Sequence, residues 1–209
     1  QPDKPTWIAS SLSTLDDMNQ PTEDGQVEFV WRTSSPAQCH TMSSENTPSS
    51  VRAVLFVPHG SPMFALHPGA AGVAMTQVAA QLGKPRAIVV VSPHWDTAVP
   101  TVSSASELET IYDFYGFPEE LYRIKYPATG YPEGAQEVVK ALQKRFSQVA
   151  TDPTRGLDHG AWTPLRQMFP DADIPIIAVS IQSHASTTHA LAMGEALEEL
   201  TLQGYLVIG

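Results

Sequence analysis

Cysteine is nearly absent from this sequence: Cys39 stands alone among 209 residues. A single thiol excludes an intrachain disulfide and fits a reducing compartment, so a cytoplasmic location is expected. Positive charge is scarce as well. Lys and Arg number 12 against 22 Asp and Glu, a net charge of −10, which opposes general affinity for nucleic acid or for an anionic membrane. A small-molecule partner is expected instead. Long apolar runs are also missing, and no stretch approaches the ~20 residues that span a bilayer. The opening Gln1-Pro2-Asp3-Lys4 has no basic region leading into an apolar one, so no secretory leader is expected.

What remains is the composition of a globular protein, 42% apolar and 16% charged, long enough for one core or at most two domains. Residues 1–50 are rich in Ser, Thr, Pro and Asn with scattered apolar side chains. Such a segment buries too little surface to offset its chain entropy, so an extended N-terminal arm is expected, with one short ordered piece at 27–31. Cys39 and His40 are neighbours within it. Adjacent residues point apart and no second pair follows, so they are read as incidental.

From Arg52 the texture changes, and residues 51–209 read as one α/β domain. Ala53-Val54-Leu55-Phe56-Val57 and Ala87-Ile88-Val89-Val90-Val91 are branched apolar runs, each closed by a turn-forming segment with a Pro. Ala71, Ala74, Val78 and Leu82 lie between them at helical spacing, so a strand, helix, strand crossover with neighbouring parallel strands is expected. Pro132 opens a second helix with Val138, Val139, Leu142 and Phe146 on one face. Thr163-Pro164 reads as the start of a short helix, 174–181 as a strand, Ser186 or Thr187 as the cap of another helix, and 204–209 as a further buried strand. Between 111 and 130 runs an aromatic, non-periodic segment. A long irregular stretch in such a domain is read either as a pocket wall or as a satellite core.

Three of the seven histidines stand apart. His59 and His94 each follow an apolar strand and a Pro, which places both at the C-terminal edge of a sheet, where open α/β folds bind ligands. His159 sits in Gly156-Leu157-Asp158-His159-Gly160, beside an acid that can orient it. His40 and His67 read as loop residues, and His184 and His189, five apart, do not share a helix face. Neutral imidazole suits Zn and Fe, and a site with vacant positions permits metal-assisted hydrolysis or non-haem iron chemistry. Spacing does not separate these. For hydrolysis the close acid in sequence is Asp96.

Pro58-His59-Gly60-Ser61-Pro62-Met63, Ser92-Pro93-His94-Trp95, the run from Ile111 to Pro118, Tyr126-Pro127-Ala128-Thr129-Gly130 and Leu157-Asp158-His159-Gly160-Ala161-Trp162 together resemble the 4,5-DOPA extradiol dioxygenase family. That family belongs to the class III, protocatechuate 4,5-dioxygenase-like, ring-cleaving enzymes. The resemblance covers about 51–209. It implies a three-layer α/β/α fold with a mixed, largely parallel central sheet. It further implies His59 and His94 as metal ligands, for Fe(II) in turnover and often Zn(II) in isolated protein. His159 is implied as the catalytic group on the substrate side, with Asp158 and His159 binding a catechol-type, DOPA-like substrate that is opened by O2. It also implies further histidines beyond Gly209, so that this length alone is expected to hold metal weakly. A zinc hydrolase using the same histidines and a non-catalytic shortened paralogue remain as alternatives.

Overall fold

A computed structural model describes residues 53–209; the expectations for residues 1–50 lie outside the described residues. Six strands form one sheet: β1 (Ala53–Leu55), β2 (Ala87–Asp96), β3 (Thr101–Ser103), β4 (Ala150–Asp152), β5 (Ile176–Ile181) and β6 (Tyr205–Ile208). Their order across the sheet is β1-β6-β2-β5-β3-β4. Every pairing is parallel except β3 with β5. The sheet is thus mixed and largely parallel.

Alternation along the central strands sorts their side chains into two cores, as the two-residue period of a strand requires. Ile88, Val90, Ala178, Leu206 and Ile208 face one side, where α1 (Gly69–Leu82) and α3 (His159–Met168) contribute Met75, Ala79, Trp162 and Leu165. Val89, Ile177, Val179 and Val207 face the other, beneath α2 (Pro132–Gln143) and α4 (Thr187–Glu198), which supply Val138, Leu142, Met193 and Leu197. Trp162, Leu165, Val138 and Leu142 are all 0% exposed, each such burial being worth about 2 kcal/mol. Helices cover both faces, which is a three-layer α/β/α architecture.

Several details differ from the sequence expectations. The strands that lead to His59 and His94 are not neighbours, because β6 lies between β1 and β2 and pairs with both. β2 continues through Pro93 to Asp96, with a register shift against β5 between Ser92 and Asp96, so His94 belongs to the strand and not to a loop beyond it. A proline in a strand is tolerated at such an irregularity. Helix α3 begins at His159, four residues ahead of the expected Thr163-Pro164 start. Its cap is Asp158, whose side chain accepts from the Ala161 N–H, and Pro164 falls inside the helix. β3 and β4, three residues each, carry too little pattern to be seen in sequence. The aromatic segment contains one 3-10 turn, Glu119–Arg123, and is part of the first core, with Leu121 and Tyr126 buried and Tyr112, Phe114, Phe117 and Ile124 partly so.

Candidate metal centre

His59 lies four residues beyond the end of β1, in a turn that two separate contacts hold in place. The backbone of the strand continues its pairing, Val57 N–H donating to the Gly209 carbonyl at 2.9 Å. The buried Thr163 hydroxyl of α3 lies 3.3 Å from the His59 carbonyl. Gly60 takes φ +63, a left-handed conformation in which a side chain is strained. This turn brings the Gly60 carbonyl to 2.7 Å from His59 Nδ1.

His159 reaches the same place from the first turn of α3. Asp158 ties that helix start to β2: its carboxylate accepts from the Ser92 hydroxyl at 2.5 Å, from Arg155 at 2.5 Å and from the Ala161 N–H at 3.2 Å. Ser92 Oγ in turn lies 3.2 Å from the His94 N–H. One buried carboxylate therefore fixes the spacing between the strand that carries His94 and the helix that carries His159. Gly160 permits the close approach, since a Cβ there would stand 2.5 Å from His94 Cδ2.

The three imidazoles meet. Ring centroids are 4.8 Å apart for His59 and His94, 5.4 Å for His59 and His159, and 4.1 Å for His94 and His159. One nitrogen from each lies within 4.8 Å of the others, a spacing at which the three could hold one metal ion, and this is the group of that kind among the described residues. His159 forms the buried floor and His94 the exposed rim. Burial lowers the proton affinity of His94 and the charge of a protonated His159 would lower it further, against the opposing pull of Asp113 and Asp158. The neutral form so favoured is the one that ligates metal.

The acid on His159 is not its sequence neighbour. Asp158 is 2% exposed and turned away toward Ser92 and Arg155. The sequence expectation that it orients His159 is corrected by Asp113, whose Oδ1 accepts from the His159 backbone N–H and lies at 2.9 Å from His159 Nδ1. Asp113 Oδ2 lies 3.5 Å from His94 Nδ1. Burial would raise the Asp113 carboxyl, but the hydrogen bonds from His159 outweigh it and hold the group at about 2, ionised. Phe114, the next residue, sets its ring 5.6 Å from that of His159.

Residues 54–209 match the family described as the catalytic LigB subunit of aromatic ring-opening dioxygenase. The chain belongs to this family. It is 42% identical over 172 residues to a 4,5-DOPA dioxygenase extradiol of Beta vulgaris, covering 80% of this chain and 63% of the relative. To the Escherichia coli K12 protein of the same description it is 39% identical over 167 residues, covering 80% of this chain and 59% of the relative. In structure it resembles a crystallised, uncharacterized protein of E. coli K12 with a TM-score of 0.60 at 35% identity, covering 74% of this chain and 57% of that one. The chain thus spans less than two thirds of the length of these relatives.

Other candidate groups lie apart from the three-histidine cluster. Asp96, which a hydrolytic reading of the same histidines requires, accepts from both the backbone N–H and the hydroxyl of Ser183. It is not a member of the cluster. His189 packs its ring 4.6 Å from Phe146 and bonds Gln182, on the side of the sheet away from His159. Neither it nor His184 joins the three histidines. No helix among the described residues is long and apolar enough to cross a membrane.

Proposed function

We propose that this chain carries the metal-binding and proton-handling centre of an extradiol ring-cleaving dioxygenase acting on a catechol-type, DOPA-like substrate with O2. The observation that carries the proposal is the convergence of His59, His94 and His159 at the C-terminal edge of the sheet, in a chain of the LigB family. Clustered imidazole nitrogens with one exposed side suit a divalent ion that keeps positions open. His59 and His94 would hold it, Fe(II) in turnover and Zn(II) as a substitute. When bound, such an ion supplies a template for the two catechol oxygens and O2 and a path for electrons between them.

The remaining work falls to the protein. His159, at the floor and engaged by Asp113 through Nδ1, offers Nε2 to a catechol hydroxyl, takes its proton and later returns it, a task suited to imidazole near neutral pH. Phe114, edge-on to His159 and packed against Phe117 and Tyr122, gives the floor an apolar flank that excludes water. Asp158 acts on substrate indirectly, by fixing His159 against the strand of His94.

The test is anaerobic loading of the 209-residue chain with Fe(II), followed by oxygen uptake with a panel of catechols. Weak iron binding with slow uptake stoichiometric with ring-opened product, both lost in His59→Ala and His94→Ala, is expected of this length of chain. His159→Asn should keep the iron and lose at least ~100-fold in turnover. Iron held at full occupancy by a chain that consumes no oxygen with any catechol would overturn the reading in favour of a non-catalytic role.

A further inference from the structure

Among the described residues, Asp113 is the one carboxylate that reaches two of the three clustered rings, and it does so from a segment held by several contacts. The Ile111 N–H donates to the Leu157 carbonyl at 2.7 Å, and the Trp162 indole donates to the Ile111 carbonyl at 3.0 Å. The Tyr112 hydroxyl donates to the Ile124 carbonyl at 2.6 Å. On the other side Phe114 packs against Trp162 and His159. Asp113 is therefore pinned from both directions, and its carboxylate has little freedom to leave the histidines.

A carboxylate only accepts hydrogen bonds, so a ring nitrogen that bonds it must carry the proton. Nδ1 of His159 lies 2.9 Å from Asp113 Oδ1 and Nδ1 of His94 lies 3.5 Å from Oδ2. The third ring reaches the same state by another route, because His59 Nδ1 lies 2.7 Å from the Gly60 carbonyl, which is likewise only an acceptor. In His159 and His59 the nitrogen left with a free lone pair is Nε2; the 3.5 Å contact of His94 is electrostatic and favours the same tautomer.

We infer that Asp113 is the positioning residue of the site, holding His159 firmly and His94 more loosely in the Nδ1-protonated tautomer, so that Nε2 of each faces the ligand. This deepens the proposed function and rests on it, since it takes these histidines as the working groups. Carboxylates behind ligating histidines orient the ring and strengthen its basicity, and their loss costs about 10- to 100-fold in metal affinity. The unequal distances add a feature that a merely structural aspartate would lack: the grip is graded, tighter on His159 than on His94.

The experiment is long-range 1H–15N correlation spectroscopy on the 15N-labelled full chain, which reads the protonated nitrogen of every neutral histidine without metal, catechol or turnover. In the native chain His159, His94 and His59 should all be Nδ1-protonated. In Asp113→Asn, His159 should shift strongly toward Nε2 protonation, His94 less, and His59 not at all, while zinc affinity falls about 10- to 100-fold. Glu137→Gln, which removes a carboxylate from the far Arg86–Tyr205 cluster, should leave all three rings unchanged. An Nε2-protonated His159 in the native chain overturns the inference, even if Asp113→Asn does not fold. So does a folded Asp113→Asn with native tautomers. A chain that shows the expected tautomers and never consumes oxygen with a catechol sinks the dioxygenase proposal alone.

Discussion

Replacing Gly160 by Ala tests how closely strand and helix must approach to assemble the three histidines. The added Cβ would stand 2.5 Å from His94 Cδ2, 2.9 Å from Ser92 Oγ and 3.2 Å from Asp158 Oδ1, where ordinary contact begins at 3.4 Å. His94 is the neighbour free to yield, since its side chain is 32% exposed whereas Ser92 and Asp158 are buried and bonded to each other. The ring must withdraw by about 1 Å. Overpacking of this kind costs about 1–3 kcal/mol, and exchanging Gly for Ala inside a helix returns about 1 kcal/mol. The net effect on folding is about 1 kcal/mol, a shift of roughly 2–4 °C in Tm for a chain of this size. Metal binding has no such offset, because a ligand displaced by about 1 Å leaves the coordination distance. Zinc affinity, read by competition with a chromophoric chelator, should fall at least 10-fold, about 1.4 kcal/mol, while calorimetry shows the small Tm shift. Native zinc affinity in Gly160→Ala would refute the reasoning, because His94 would then not be a ligand held by this contact. A loss of more than 10 °C would refute it differently, showing that the ring cannot yield and that the site is as rigid as the core.

Ser92→Ala removes the hydroxyl that donates to Asp158; loss of a hydrogen bond to a charged group should cost about 1.5–3 kcal/mol, measured by thermal unfolding, and a change below about 0.5 kcal/mol would show that water replaces it. His189→Ala should leave zinc affinity within twofold of native, because that ring packs on Phe146; a tenfold loss would place His189 in the site. Gly130→Ala should destabilise the fold severely, since the new Cβ would meet the backbone carbonyl of Ala105 at 1.8 Å, and soluble expression with native Tm would contradict this. The carboxyl of Glu137 is lowered by its hydrogen bond from Arg86. A group lowered on folding stabilises while ionised, so its contribution is present above its ordinary value of 4.5 and fades as acid protonates it. Glu137→Gln should flatten the acid side of the stability curve by a few tenths of a kcal/mol, the exposed position screening the pair.

The sequence was most legible where physics acts over short distances. Ala87 to Val91 is branched, apolar and bounded, and it forms the buried strand expected of it; the helical spacing from Ala71 to Leu82 matches α1. The placement of His59 and His94 at one sheet edge follows from strand direction, which parallel pairing fixes. What escaped is what folding brings together from afar. Asp113 lies in an aromatic run without periodicity, 46 positions from the ring it bonds, and nothing local separates it from Asp158, the acid next to that ring. Adjacency in sequence favoured the wrong carboxylate, because a helix N-cap turns its side chain back to its own backbone. The start of α3 was missed for a related reason: Pro164 reads as a first-turn residue, and the cap that begins the helix lies six residues earlier.

The position of β6 between β1 and β2 sets a timetable as well as a geometry. Among the described residues β1 pairs with β6 alone, and roughly 150 residues of chain separate the two. At a synthesis rate of about 5–20 residues per second, β1 leaves the ribosome on the order of ten seconds or more before the strand it pairs with. Through that interval it lacks its described partner β6, while β2 and β5 can already pair. His59, set by the β1–β6 pairing and by α3, is then the last ring of the three to arrive. A nascent chain therefore assembles the edge of His94 and His159 before that of His59, and metal capture is coupled to the longest strand-to-strand closure among the described residues, the slow kind of contact in folding.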